Sequence, residues 1–332
     1  MKPQVLEGIL VKSEDETDPK YGRNPEERGI EEYIRNGIVN IDKPSGPNSH
    51  QVAAWVRDLL GLKKSGHSGT LDPKVTGVLP IALEDATKIV KALLLSEKEY
   101  VCLMSMHDKA SDEAVGKAFT SFQGPIFQTP PIKSAVKREL RIRNIYEIKN
   151  LERADQEILF KVRCESGTYI RKLCHDIGLV LCTGAHMHQL RRTKTGPFDE
   201  STLVKLQDLK DAYSYYKENG DETSLRKAIQ PVESGVADLK KIWLKDGAIS
   251  AICHGADLNA PGVSRLEKGI HEKQQVALMS LKDELVAVAR TQASSQQIYE
   301  AKKGVVATLE RVYMNPETYP KKWHTKQKNE NI

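Results

Sequence analysis

At 332 residues, with 39% hydrophobic and 29% charged side chains, the chain can bury a sizeable core and fill two domains. No run of about 18 apolar residues occurs and no apolar signal core opens the chain, while Cys102, Cys164, Cys174, Cys182 and Cys253 are scattered without a CxxC pair; we expect no membrane span, a reducing intracellular compartment and no structural zinc. The formal charge is +5, but residues 1–36 hold six Lys and Arg against nine Asp and Glu, which leaves +8 on the remainder and suits a polyanionic partner.

Residues 1–35 mix acids with Pro19, Gly22 and Pro25 and show little periodicity, which predicts an extended arm. A strand starts at Ile38–Ile41 and runs into the Pro/Gly turn Asp42-Lys43-Pro44-Ser45-Gly46-Pro47. Ser49 is then placed to cap a helix with Val52, Trp55, Val56, Leu59 and Leu60 on one face.

The next stretch, Gly66 to Leu83, reads GHSGTLDPKVTGVLPIAL, and Asp72 is its only acid. A lone carboxylate in a loop confined by Pro73 and opened to tight turns by Gly66, Gly69 and Gly77 is a candidate nucleophile or base. The plainer alternative is a Leu-Asp-Pro surface turn. Val78, Leu79, Ile81 and Ala82 predict a buried strand behind the loop.

Residues 86–95 read as a helix and 99–106 as a strand bearing Tyr100. From Thr129 to Arg143, TPPIKSAVKRELRIR concentrates Lys133, Lys137, Arg138, Arg141 and Arg143 against Glu139 alone, a charge run that by itself reads as an exposed strand of no special role. Residues 145–152 and 157–164 alternate as strands, and Gly167 opens a short helix through Thr168, Tyr169, Ile170 and Arg171. GAHMHQLRRTKTGPF, Gly184 to Phe198, reads as strand; His186 and His188 lack further ligands and predict no metal site. Residues 199–230 are polar and helical in pattern. From Leu239 to Met314, short β-like runs such as 276–279 and 285–289 alternate with glycine turns after an amphipathic stretch around 246–253, and a lysine-bearing tail from Asn315 is expected to be flexible.

Four of these segments carry a resemblance. GHSGTLDPKVTGVLPIAL, NIDKPSGPNSHQV, SGTYIR and GAHMHQLRRTKTGPF resemble the signature motifs of the TruB family of pseudouridine synthases, and the stretch 239–314 resembles a PUA domain, a small β-barrel that binds RNA. The likeness covers roughly residues 36–314. It implies an α+β chain, a mixed antiparallel-sheet catalytic domain at 36–235 and a PUA β-barrel at 236–314, with an N-terminal arm at 1–35 and a basic tail at 315–332.

The resemblance also implies roles. Asp72 is the catalytic residue, nucleophile or base, with Arg171 as its compensating charge and Tyr100 as the stacking face under a flipped uracil. His67, Tyr169, Leu190 and Lys43 line the substrate side, Lys43 by buttressing the Asp72 loop. Lys133, Lys137, Arg138, Arg141, Arg191 and Arg192 meet the RNA backbone. No cofactor or metal is needed, because the isomerisation involves neither redox change nor external energy. The basic segment Thr129 to Arg143, which resembles the family's RNA-clasping thumb loop, and the PUA-like region resemble the archaeal and eukaryotic dyskerin branch, which implies box H/ACA guide RNA, rRNA and tRNA as partners. Small partner proteins, including a kink-turn-binding protein, would complete the particle, in the cytoplasm for an archaeal-type chain and in the nucleolus for a eukaryotic one. Stand-alone action on a tRNA T-loop and a non-catalytic RNA scaffold are the alternatives. A P-loop NTPase is disfavoured by the lack of GxxxxGK[ST], and a glycosidase by the lack of a second carboxylate in the motifs.

Overall fold

The computed structural model describes residues 8–130 and 137–321, and they form two compact units, one from Asn36 to Gln230 and one from the N-terminal segment together with the chain beyond Pro231.

The first unit is built on a ten-stranded sheet whose main strands run in the order Gly37–Lys43, Thr76–Leu83, Ala185–Thr195, Lys98–Met106, Glu157–Cys164, Arg141–Ala154 and Gly124–Gln128. The pairings between these strands are antiparallel except where Thr76 and Gly77 meet Arg191 and Arg192. Thr76–Leu83 is buried along nearly its whole length, as its apolar run predicts for a central strand. Lys98–Met106 alternates instead, and sends Cys102, Met104 and Met106 into a core shared with Phe160, Leu173 and Ile177.

The helix Ser49–Leu59 departs from expectation at two residues. Its N-cap is Asn48, which forms a capping box with Gln51. Ser49, freed from that duty, is fully buried, and its Oγ accepts a hydrogen bond from the Leu71 amide at 2.8 Å. Trp55 is also not on the buried face: Val52, Val56 and Leu60 are inside, while Trp55 is 48% exposed. The expected helix at 86–95 divides into a 3-10 turn, Glu84–Ile89, and the α-helix Val90–Leu95.

The second unit carries a seven-stranded sheet around its own core, which includes Ile242, Leu244, Val276, Leu278, Val286 and Ala307. Bulges in several of its ladders bend the strands, the geometry a small curved sheet requires. The N-terminal segment, expected to be an extended arm, is part of this unit: Ile9–Val11 pairs antiparallel with Val263–Glu267, and Tyr33 and Ile34 are buried. The start of the expected flexible tail is also packed. Tyr319 is 2% exposed and donates its hydroxyl to Glu284 at 3.0 Å, and burial of the phenol outweighs the polarity that would leave such a tail in water. Residues 322–332 lie outside the described residues.

Candidate active site

Asp72 sits in the loop between the strands Ser65–His67 and Thr76–Leu83, with its side chain open to solvent. The shape of the loop is set largely by side chains reaching in from below. The Lys43 ammonium, fully buried, donates to the carbonyls of Pro44, Pro73 and Val75 at 2.9, 3.0 and 2.8 Å. The Pro73 oxygen also accepts the Gly46 amide at 2.9 Å, whereas the buried Val75 oxygen takes its donor from the lysine, which removes the cost of leaving it unpaired. Burial first, and then Arg192, lowers the Lys43 pKa, and the Asp72 charge opposes the shift.

Arg192 supports the other side of the loop. Its guanidinium donates to Val78 O at 2.7 Å and Gly69 O at 3.3 Å, and is hydrogen-bonded to the Tyr100 hydroxyl. Gly77 permits this approach, because a Cβ at that position would stand 2.1 Å from the Arg192 carbonyl oxygen, and Gly77 adopts a φ of +101°. A third cation, Lys98, donates to the carbonyls of Leu93, Leu94 and Ser96 at the end of the helix Val90–Leu95. Burial, and then Arg192, draws its pKa down to about 7. Burying a charge is tolerated only where such partners exist, and here backbone carbonyls supply them.

Above this floor, Arg171 comes from the first turn of the helix Ile170–Val180 and pairs with the Asp72 carboxylate, both side chains remaining more than half exposed. Tyr169, the N-cap, is half-buried. Its amide donates to Gln128 Oε1 at 2.9 Å and its carbonyl accepts from Gln128 Nε2 at 3.1 Å. Tyr100 is half-buried on its strand opposite Arg192, and burial raises its pKa against the opposing pull of that guanidinium. Leu190 is half-buried beside Cys102 on the neighbouring strand.

His67 is half-buried, edge-on to His50 with ring centroids 4.6 Å apart, beside a cavity of about 530 Å³ bounded also by Arg57, Thr70 and Leu94. Burial first, then His50 and Arg192, pulls its pKa down to about 4, so the ring is neutral at pH 7.

One expectation needs correction: Arg192 is 1% exposed and spends its donors on the loop, so it cannot reach an RNA phosphate. Lys43 takes the buttressing place expected of it, with no donor face open to solvent. Arg191 is partly open and is held by Asp42 at 3.0 Å and Glu200 at 2.6 Å. In the thumb, Lys137 and Arg138 are exposed, with Lys137 paired to Glu139, and Arg141 is half-buried and donates to Lys137 O. Lys133 lies outside the described residues. His186 shares a hydrogen bond with His107 at 3.0 Å, and among the described residues no cluster of three or more His, Cys, Asp or Glu could hold a metal ion. Nor is any described helix long and apolar enough to cross a membrane.

Sequence reasoning misses the roles of Ser49, Lys98 and Gln128. For Ser49 a signal is present: the frame Asn48-x-x-Gln51 fits a capping box and releases the serine.

Comparison with known proteins accounts for this arrangement. Residues 57–170 match the family described as TruB family pseudouridylate synthase (N terminal domain), and 171–237 match the tRNA pseudouridylate synthase B C-terminal domain. A protein of Methanosarcina barkeri named probable tRNA pseudouridine synthase B is 54% identical over 326 residues, 98% of this chain and 96% of that one. The chain belongs to the TruB family of pseudouridine synthases. Residues 240–313 match a PUA domain and 4–53 a DKCLD (NUC011) domain, which place this TruB-family chain in the dyskerin branch. The Pyrococcus furiosus protein of the same name is 50% identical over 323 residues, 97% of this chain and 95% of that one. Among solved structures, a chain of a Cbf5-Nop10-Gar1 complex superposes with a TM-score of 0.88 at 50% identity, covering 96% of this chain and 97% of that one. A chain of an H/ACA RNP bound to a substrate RNA containing 2′-deoxyuridine gives 0.87 at 48% identity, covering 96% and 98%.

Proposed function

We propose that this TruB-family enzyme converts specific uridines in RNA to pseudouridine, with Asp72 as the reacting carboxylate. The observation that carries the reading is the Asp72–Arg171 pair: the family's motif carboxylate stands at an open surface, held from beneath by Lys43 and Arg192 and faced by the Arg171 guanidinium. Breaking the C–N glycosidic bond, turning the uracil and forming the C–C bond requires an anionic group next to the sugar and a surface on which the freed base can turn. Asp72 supplies the first, as nucleophile or as the base that removes the C2′ proton. Tyr100, with Leu190 on the adjacent strand, supplies the second for an extruded nucleotide. Tyr169 and the neutral His67 contact the bases around it, and the exposed Lys137 and Arg138 contact backbone phosphates.

The assembly follows by likeness. The structural relatives at about half identity come from a Cbf5-Nop10-Gar1 complex and an H/ACA RNP bound to a substrate RNA, which supports guide-RNA-directed action together with small partner proteins; rRNA as the target, a kink-turn binder among the partners and a cytoplasmic site follow from the family resemblance alone. The curated relatives are named for tRNA, which favours a second activity on the tRNA T-loop. Tritium release from 5-tritiated uridine in a tRNA transcript and in a guide-matched RNA, with and without guide and partner proteins, separates these. Release that depends on guide and partners supports the assembly, whereas release from neither RNA under any condition refutes the reading.

A further inference from the structure

We propose that Gln128 is a positioning residue that locks the first turn of the Arg171 helix to the edge strand of the catalytic sheet, and so holds the guanidinium in place against Asp72; this rests on the catalytic reading above. Gln128 is the last residue of the edge strand Gly124–Gln128, where it pairs with Arg141. Its side chain is 2% exposed, and its primary amide meets the Tyr169 backbone at both polar groups, accepting at 2.9 Å and donating at 3.1 Å. A carboxamide satisfies a backbone amide and carbonyl in this two-point manner because it carries one acceptor and one donor in a plane.

The location gives the bond its significance. Tyr169 is the N-cap of the helix Ile170–Val180, and its carbonyl also accepts from the Leu173 amide at 3.0 Å, so Gln128 is bonded to the residue from which the helix starts. The first turn is thereby anchored from outside, by a side chain 41 residues earlier in sequence. Arg171, two residues beyond Tyr169, is the group that pairs with Asp72. A shift of the Gln128 strand end moves the Tyr169 backbone, and with it the guanidinium. On the other side, Arg141 donates to Lys137 O, which links the same strand pair to the exposed thumb cations. A buried primary amide is a costly way to fill space unless it is partnered, and here its partner is the backbone that aims Arg171.

The test uses the full chain, assembled with guide RNA and partners if turnover requires them, and the variants Gln128→Met and Gln128→Glu. Methionine keeps the length and loses both hydrogen bonds. Glutamate keeps the acceptor for the Tyr169 amide, but when ionised it sets an oxygen against the Tyr169 carbonyl, and when protonated it can donate again. For Gln128→Met we expect the single-turnover rate at saturating RNA to fall by about 10- to 100-fold, the loss that a small misplacement of a reacting group produces. RNA affinity should fall by much less than the rate, since the exposed Lys137 and Arg138 that meet phosphates are untouched. Gln128→Glu should fall similarly at pH 8 and recover towards the wild-type rate, compared at each pH, as acidity protonates the carboxyl. A residue that merely supported the fold would show reduced thermal stability, with no recovery at low pH in the glutamate variant. A wild-type single-turnover rate in folded Gln128→Met, or a glutamate variant whose deficit does not change with pH, overturns the proposal. Neither result touches the catalytic reading, which is tested separately by whether the wild-type chain forms pseudouridine and Asp72→Asn does not.

Discussion

Arg171 and Asp72 lie 99 residues apart in sequence and form an ion pair across two elements, the start of the helix Ile170–Val180 and the loop ahead of the strand Thr76–Leu83. Both side chains are more than half exposed, and a pair so placed adds little to folding stability. Its arrangement therefore makes sense as chemistry. Replacing Arg171 with Lys keeps the charge and loses the planar fork, and replacing it with Met loses both. Single-turnover rates at saturating RNA should fall in the order wild type, Lys, Met, with the Met variant down by about 100-fold or more if the guanidinium acts in the transition state. A Met variant at the wild-type rate would mean that Arg171 only binds backbone phosphate.

Lys43 is tested through stability. Lys43→Met preserves the buried stem but leaves the carbonyls of Pro44, Pro73 and Val75 without their shared donor. We expect a loss of about 3 kcal/mol in urea unfolding, the scale set by buried acceptors left unsatisfied, together with a fall in turnover from a slackened Asp72 loop. An unchanged unfolding midpoint would show that water replaces the ammonium without penalty.

His67 predicts a pH effect of definite sign. In the folded chain it takes up a proton only near pH 4, whereas the unfolded side chain does so near 6.5. Between those values the unfolded state binds more protons, so this residue lowers stability as pH falls through the window. Urea unfolding of wild type and His67→Phe between pH 7 and 4 should show the wild type losing more stability with acid than the variant. Parallel curves would contradict the assigned environment.

For the thumb, Lys137→Ala with Arg138→Ala should weaken RNA binding and reduce the slope of log affinity against log salt by about one unit for each phosphate left without its cation. Lys137 is already paired with Glu139, so the double variant is expected to flatten the slope by somewhat less than the two cations would suggest. An unchanged slope would make the cluster a solvated face.

Much of the molecule was legible because its strands keep simple patterns: the unbroken apolar run at 78–82 produced a buried central strand, and alternation at 157–164 produced a half-buried one. The motif residues Asp72 and Arg171 were legible as a pair through family resemblance, since no local pattern relates positions so distant. The errors came where tertiary context inverted polarity. Arg192 is buried because the loop's inward carbonyls favour a cation over an apolar side chain, and Trp55 is exposed because Val52, Val56 and Leu60 already fill the inner face of its helix. The Arg191-Arg192 dipeptide held a usable signal. Neighbouring side chains in a strand point to opposite faces, so one of the two arginines had to turn inward. Gln128 gave no such signal, because its role depends on a backbone brought to it from another element.

The central claim is that Asp72 is the reacting carboxylate, and Asp72→Asn tests it most directly. The amide nearly matches the carboxylate in size but can neither attack the sugar carbon nor take the C2′ proton. The measurement is pseudouridine formed in a single turnover on saturating substrate RNA, with RNA affinity determined for the same preparation. The account predicts no detectable pseudouridine and near-wild-type affinity; substantial pseudouridine formation by the Asn variant would contradict it.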